Sequence, residues 1–104
     1  MSLSTVLIKN LPVKVESVKI TGIERTRESF IKTELEDAVA STNMRDLNHK
    51  LNVAAMKLKS LGVFDAVDIQ LNTESTVNGF YVANVGVTIR EKIVPTMKVL
   101  EFYL

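Results

Sequence analysis

The chain has 104 residues, of which 46% are hydrophobic and 24% charged, as is typical of one globular domain. It contains no cysteine, which excludes disulfides and thiolate metal sites. Thirteen basic and twelve acidic residues leave a formal charge of +1 with the two signs interspersed, which disfavours nucleic acid as the main partner. No apolar run reaches the roughly 18 residues that a membrane-spanning helix needs.

The first twelve residues are interpreted as a lead-in, which is either foreign to the protein or contains a short strand at Val6–Ile8. Pro12 ends it, because proline lacks an amide donor and biases the preceding residue toward extended backbone. A first strand is predicted from Val13. Its apolar residues alternate with polar ones, but the alternation slips by one position at Ser17, which indicates either a β-bulge or the start of a strand near Ser17. Gly22 is expected to turn the chain out of the sheet.

Two amphipathic helices are predicted next. Thr26 is expected to cap the first helix, which runs to about Ala40, by accepting a hydrogen bond from an amide of the first turn. Asn43 is expected to cap the second, which ends at Gly62 in the left-handed conformation that favours glycine. The apolar residues of the first helix are Phe30, Ile31, Leu35, Ala38 and Val39, and those of the second form a stripe at Leu47, Leu51, Ala54, Leu58 and Leu61.

After the second helix the hydrophobic period changes from that of a helix to that of a strand. A second strand is predicted over Phe64–Leu71. Its buried face is formed by Val67, Ile69 and Leu71. A polar loop over residues 72–79, ending in Asn-Gly, is expected to join it in a hairpin to a third strand. That strand alternates most regularly, with Tyr81, Ala83, Val85, Val87 and Ile89 on one face.

The resulting order β-α-α-β-β predicts an α+β fold, a small three-stranded mixed sheet with two helices packed on one face. Residues 13–92 are assigned to this domain. Residues 93–104 are interpreted as an extended segment leading toward a part of the protein missing from this chain, because Met97–Leu104 is apolar and favours a strand. In isolation this segment is expected to pair with its own sheet or with a second copy of the chain.

Two short motifs lie about 35 residues apart, a Gly-x-x-Arg-Thr turn before the first helix and a Leu-Gly-x-Phe junction after the second. Their residues are Gly22, Arg25, Thr26, Leu61, Gly62 and Phe64. In this order and spacing the chain resembles a POTRA (polypeptide-transport-associated) domain of the outer-membrane β-barrel assembly family, and most of all its mitochondrial members. The resemblance covers about residues 13–92, and it implies structural roles for all six motif residues.

The resemblance also implies a function. It implies a non-enzymatic module that binds or positions unfolded or partly folded β-barrel precursors beside other assembly-complex subunits, without catalytic residue, metal or cofactor. The implied location is the mitochondrial outer membrane, with the domain on the intermembrane-space side; chloroplast and bacterial outer membranes stay open. The membrane would be reached only through a barrel that follows Lys92. A domain that spaces the barrel and never grips a precursor is an open alternative.

The candidate binding site is an edge of the sheet. In POTRA domains the second strand is typically an edge strand, and an exposed edge can pair with an extended peptide by β-augmentation. The candidate residues are Phe64, Asp65, Ala66, Val67, Asp68, Ile69, Gln70 and Leu71. The alternative is a solvated edge that Asp65 and Asp68 protect from pairing.

The other residues that could suggest catalysis, metal binding or ligand binding have structural explanations. His49 is the only histidine and cannot complete a metal shell alone, so it is expected at the surface. Paired carboxylates such as Glu34 and Asp37 lie on a polar helix face. Met56, beside the apolar stripe, is expected to fill the core.

The competing function is that of a small α+β RNA-binding module. Such a module needs basic and aromatic side chains on the open face of its sheet. The residues expected on that face lack an aromatic pair: Lys19, Thr21, Asp68, Gln70, Asn84, Thr88 and Arg90.

Overall fold

The computed structural model describes residues 11–76 and 78–92. Its strands are β1 (Val13–Thr21), β2 (Phe64–Ser75) and β3 (Tyr81–Glu91), and its helices are α1 (Glu28–Val39) and α2 (Met44–Ser60). The predicted order and α+β class are confirmed. The interpretations of residues 1–10 and 93–104 lie outside the described residues, and the domain bounds stay a prediction.

β3 is the central strand of a mixed sheet ordered β1-β3-β2. β1 pairs parallel to β3, and β2 pairs antiparallel to it. Of the two alternatives expected near Ser17, a bulge and a strand start, the bulge is confirmed, as a register shift between Val15 and Ser17. The apolar face of β3 is buried at Ala83, Val85, Val87 and Ile89, while Tyr81 at the start of the strand is half-buried. β1 and β2 are the edge strands of the described sheet.

Both helices cover the apolar face of this sheet, and their side chains form one core with it. α1 contributes Ile31, Leu35 and Ala38, and α2 contributes Met44, Leu47, Leu51, Ala54 and Leu58. Each buried leucine contributes about 1.5–3 kcal/mol of transfer free energy. An ion pair of 3.2 Å between Lys57 Nζ and Glu34 Oε2 joins the helices at their surface. Neither helix in the described part of the chain is long and apolar enough to cross a membrane.

The two helices begin differently. Asn43 Oδ1 accepts a hydrogen bond of 2.9 Å from the Asp46 amide, which confirms the predicted cap of α2. The predicted cap of α1 is wrong: Arg27 occupies the N-cap position, and no side chain caps this helix. The Thr26 hydroxyl donates to a carboxylate on β3 instead. At the other end of α2, Gly62 follows the helix with φ of +76°, as predicted.

Four apolar side chains predicted to face the core are exposed instead, namely Phe30 (41%), Val39 (37%), Met56 (70%) and Leu61 (47%). Met56 lies two residues from both Ala54 and Leu58, which at about 100° per residue places it opposite the buried stripe. Leu61 is the C-cap residue of α2, with backbone angles still in the helical region, and its side chain is exposed. The other two lie on the flanks of the α1 stripe.

β2 is longer than predicted. It ends at Ser75 rather than Leu71, because residues 72–75 continue the ladder with β3 from Asn84 to Tyr81. The predicted polar loop is therefore a short hairpin turn, in which Gly79 has φ of +86°. The Thr76 amide donates to the Phe80 carbonyl across the turn at 2.9 Å.

Candidate functional site

The candidate residues Phe64–Leu71 lie on β2, an edge strand of the sheet. Pairing with β3 uses one side of the β2 backbone, so alternate amides and carbonyls point away from the sheet. Among the described residues, no strand pairs with that outer side. Residues 72–75 extend the same edge. Peptide binding there stays a prediction, but the backbone geometry that β-augmentation requires is present.

The side chains of β2 alternate between two environments. On the helix side, Val67 is buried, and Ile69 and Leu71 pack against the core while remaining partly exposed. On the open side, Asp68 and Gln70 are exposed, and the Gln70 amide donates to Asp68 Oδ2 at 3.1 Å. A strand added to this edge would therefore place one row of side chains beside aliphatic groups and the other beside polar ones.

The start of β2 is fixed by an aromatic anchor and a bulge. Phe64 is 6% exposed and belongs to the core. The register with β3 shifts between Phe64 and Ala66, which leaves Asp65 as an extra residue with an exposed side chain. Ala66 is half-buried. Bulges of this kind limit pairing at the ends of edge strands, so the regular edge begins after Asp65.

A second structural feature, which we call the Glu91 clamp, joins the first motif to the end of β3. The Glu91 carboxylate accepts hydrogen bonds from the amides of Glu24, Arg25 and Thr26 at 2.8–3.1 Å. It also accepts from the Thr26 hydroxyl at 2.7 Å. The bond from that hydroxyl and the bonds from the three amides lower the pKa of Glu91 from 4.5 to about 2, against an opposing contribution from desolvation. Charge-assisted bonds of this kind are stronger than neutral capping bonds, which accounts for the position of Thr26.

The clamp gives most of the first motif a physical role. Gly22 has φ of +89°, and a Cβ at this position would overlap the carbonyl oxygen of Ile89 on β3. Glycine thus lets the turn pass close to β3, and the next amides reach the Glu91 carboxylate. Arg25 contributes its backbone amide, while its side chain is exposed.

Sequence reasoning missed the clamp. A possible sequence signal is Glu91, the acidic residue at the end of the third strand. Because β1 and β3 are parallel, the turn after β1 and the end of β3 lie at the same end of the sheet.

Other surface features lie away from the β2 edge. A groove of about 400 Å³ opens between α1 and the opposite edge strand, with Val18, Lys32, Leu35, Glu36, Val39 and Ala40 as its lining. His49 is exposed, as predicted, and borders a groove of about 290 Å³ between the helices. No group of three or more potential metal ligands occurs in the described part of the chain. The residues predicted on the open sheet face are exposed or half-buried.

Comparison with known proteins finds relatives of one kind. The chain is 31% identical over 67 residues to the sorting and assembly machinery component 50 homologues of Bos taurus and Homo sapiens, an alignment that covers 64% of this chain and 14% of each relative. It is 31% identical over 100 residues to a SAM50-like protein of Schizosaccharomyces pombe, covering 88% of this chain and 21% of that protein. The chain thus spans a seventh to a fifth of these relatives. No family model and no solved structure matches it.

Proposed function

Since the chain carries a SAM50-like POTRA region, we propose that it takes part in the assembly and insertion of β-barrel proteins in the mitochondrial outer membrane. The relatives are named as components of a sorting and assembly machinery, and the β-α-α-β-β order matches the family that the sequence motifs resemble. The role is non-enzymatic, and the domain faces the intermembrane space. Its partners are unfolded or partly folded barrel precursors and other subunits of the assembly complex.

The mechanism we propose is β-augmentation, in which an extended precursor segment adds as a fourth strand beside β2. The observation that carries this proposal is the outer side of β2, which pairs with no strand in the described part of the domain. Main-chain hydrogen bonds would supply much of the affinity and tolerate varied sequences, as a module that handles many precursors requires. Partly exposed Ile69 and Leu71 would contact alternate side chains of the added strand.

A titration tests this mechanism. The ¹⁵N-labelled 104-residue chain is titrated with a nine-residue peptide from a transmembrane strand of a barrel precursor. The control peptide has the same side chains, but all of its backbone amides are N-methylated, so that neither of its edges can donate hydrogen bonds to a strand. We expect the first peptide to shift the amide resonances of residues 66–75 and the control to leave them unchanged.

Two outcomes contradict the mechanism. Equal shifts from both peptides would show binding through side chains alone. Shifts confined to α1 and β1 would place binding in the groove lined by Val39 and Val18 on the other edge. Single-stranded RNA, added in a separate gel-shift series at low and high salt, tests the competing RNA-binding function, for which we expect no shift.

A further inference from the structure

We propose that the segment received at the β2 edge is a basic amphipathic strand, with two cationic side chains six residues apart on its polar side. This inference rests on the proposed function and specifies its substrate class. It concerns Asp68 and Glu74, which lie on the open side of β2 at each end of the regular edge.

The first line of support is the charge of this strand. β2 carries three acidic residues, Asp65, Asp68 and Glu74, and no lysine or arginine. All three are exposed. The ion pairs within the described part of the chain join Lys32 to Glu28 and Lys57 to Glu34, so none of the β2 carboxylates is neutralised there. This edge is uniformly acidic in a protein whose total charge is +1.

The second line of support is the pairing on the inner side. Asp68 lies opposite Thr88 and Glu74 lies opposite Val82, so β3 places no cation directly across from either carboxylate. Each carboxylate can therefore have a cation directly across from it only on the outer side of β2, where an incoming strand would lie. A lysine or arginine in that position would form the opposite-charge cross-strand pair that stabilises sheets.

The ladder fixes the spacing. From Ala66 to Ser75 the register with β3 is unbroken, so Asp68 and Glu74 share a face and are six residues, about 20 Å, apart. A strand paired in either direction would meet them with side chains six positions apart. Its other face would lie beside Ile69 and Leu71, which favours aliphatic residues at the alternate positions.

The other edge strand does not share this character. β1 carries exposed Lys14, Glu16 and Lys19, and its bulge interrupts the ladder between Val15 and Ser17. Mixed charge and a bulge are features that discourage pairing at an edge. The preference for a basic strand is therefore specific to β2, and Glu16 provides a matched control for the acidic residues there.

The experiment uses two nine-residue peptides that differ only at positions 2 and 8, which hold lysine in one and glutamate in the other; both alternate with aliphatic residues. Their affinities for the 104-residue chain are measured by amide shifts of β2 at low salt. The same titrations are made with the double variant Asp68→Lys/Glu74→Lys and with the control variant Glu16→Lys. The amide spectrum of each variant confirms its fold, which exposed side chains should not alter.

We expect the lysine peptide to bind the unmodified chain about 2- to 30-fold more tightly than the glutamate peptide, from two cross-strand ion pairs. The preference should reverse in the double variant, persist in Glu16→Lys and weaken at high salt. Equal binding of both peptides at the β2 edge would overturn this inference and leave β-augmentation standing. Absence of β2 shifts with either peptide would overturn the proposed mechanism, and this inference with it.

Discussion

Three glycine-to-alanine substitutions separate backbone strain from steric overlap in this fold. Gly22 and Gly62 both have left-handed φ angles, +89° and +76°. A Cβ on Gly62 would have no neighbour within 4 Å, whereas a Cβ on Gly22 would overlap the Ile89 carbonyl. Gly86, in the central strand, has a φ outside this range, and its Cβ would lie 3.8 Å from Gln70 Oε1, an ordinary contact.

The expected magnitudes follow from these environments. Gly62→Ala should lower the free energy of unfolding by about 1–2 kcal/mol, the strain of one left-handed residue. Gly22→Ala adds displacement of the β3 backbone beside a buried side chain, about 1–3 kcal/mol for overpacking, so its total is about 2–5 kcal/mol. Gly86→Ala should be neutral or stabilise the domain by up to about 1 kcal/mol, since alanine restricts the unfolded chain. A domain of this size is stable by about 5–15 kcal/mol, so all three effects are measurable.

Urea unfolding followed by circular dichroism measures the three variants against the unmodified chain, and unchanged m-values confirm that the transition stays two-state. The expected order of stability is Gly86→Ala, then Gly62→Ala, then Gly22→Ala. Equal losses for the last two would refute the close approach of the turn to β3. The amides of residues 24–26 should also shift in Gly22→Ala and stay in place in Gly62→Ala, because only the first substitution disturbs the Glu91 clamp.

Three further predictions concern the clamp, a cap and the core. The clamp lowers the folded-state pKa of Glu91 to about 2, so the contribution of this carboxylate to stability is complete above about pH 4.5 and is lost as the pH falls toward 2. The urea midpoint of the unmodified chain should therefore fall more steeply with pH over that range than the midpoint of Glu91→Gln. Equal dependence of the two midpoints on pH would contradict the clamp. Asn43→Ala should cost about 0.5–2 kcal/mol by thermal unfolding, while no measurable loss would show that its hydrogen bond to the Asp46 amide does not cap α2. Leu58→Ala, at a fully buried site, should lower the free energy of unfolding by about 2–5 kcal/mol, whereas the matched substitution at exposed Met56, Met56→Ala, should lower it by less than about 0.5 kcal/mol. Similar losses for the two variants would contradict the difference in burial between these side chains.

Local sequence signals predicted much of this fold. The sequence predicts the Asn43 cap, and a bulge or strand start near Ser17, because each of these features depends on a few consecutive residues. Gly62 was identified as a helix stop for the same reason. The alternating residues of β3 predicted the buried face of a central strand. The period of the hydrophobic residues shows which face of a helix or strand is apolar. That face is buried when the whole helix or strand packs against the rest of the domain.

The sequence-based predictions were wrong where burial or strand pairing depends on the position of a residue in the fold rather than on its type. Met56 is apolar and adjacent to the stripe, yet its angular position on α2 places it in solvent. Leu61 has the spacing of the stripe, but it lies at the C-cap of α2 and its side chain is exposed. The polar residues 72–75 extend β2 because a backbone ladder with β3 does not require apolar side chains on an exposed edge.

The amino-acid sequence by itself determined the order of the elements, their apolar faces and the two motifs that indicate the family, because these depend on neighbouring residues and on their periods. Only the tertiary structure decided the partner of Thr26 and how far the β2 edge extends, while the edge position itself was implied by the resemblance to POTRA domains. Thr26 and Glu91 are 65 residues apart, and parallel pairing of β1 with β3 is what brings the turn to the carboxylate. Strand order likewise depends on how non-local segments pair, and no local pattern contains that information.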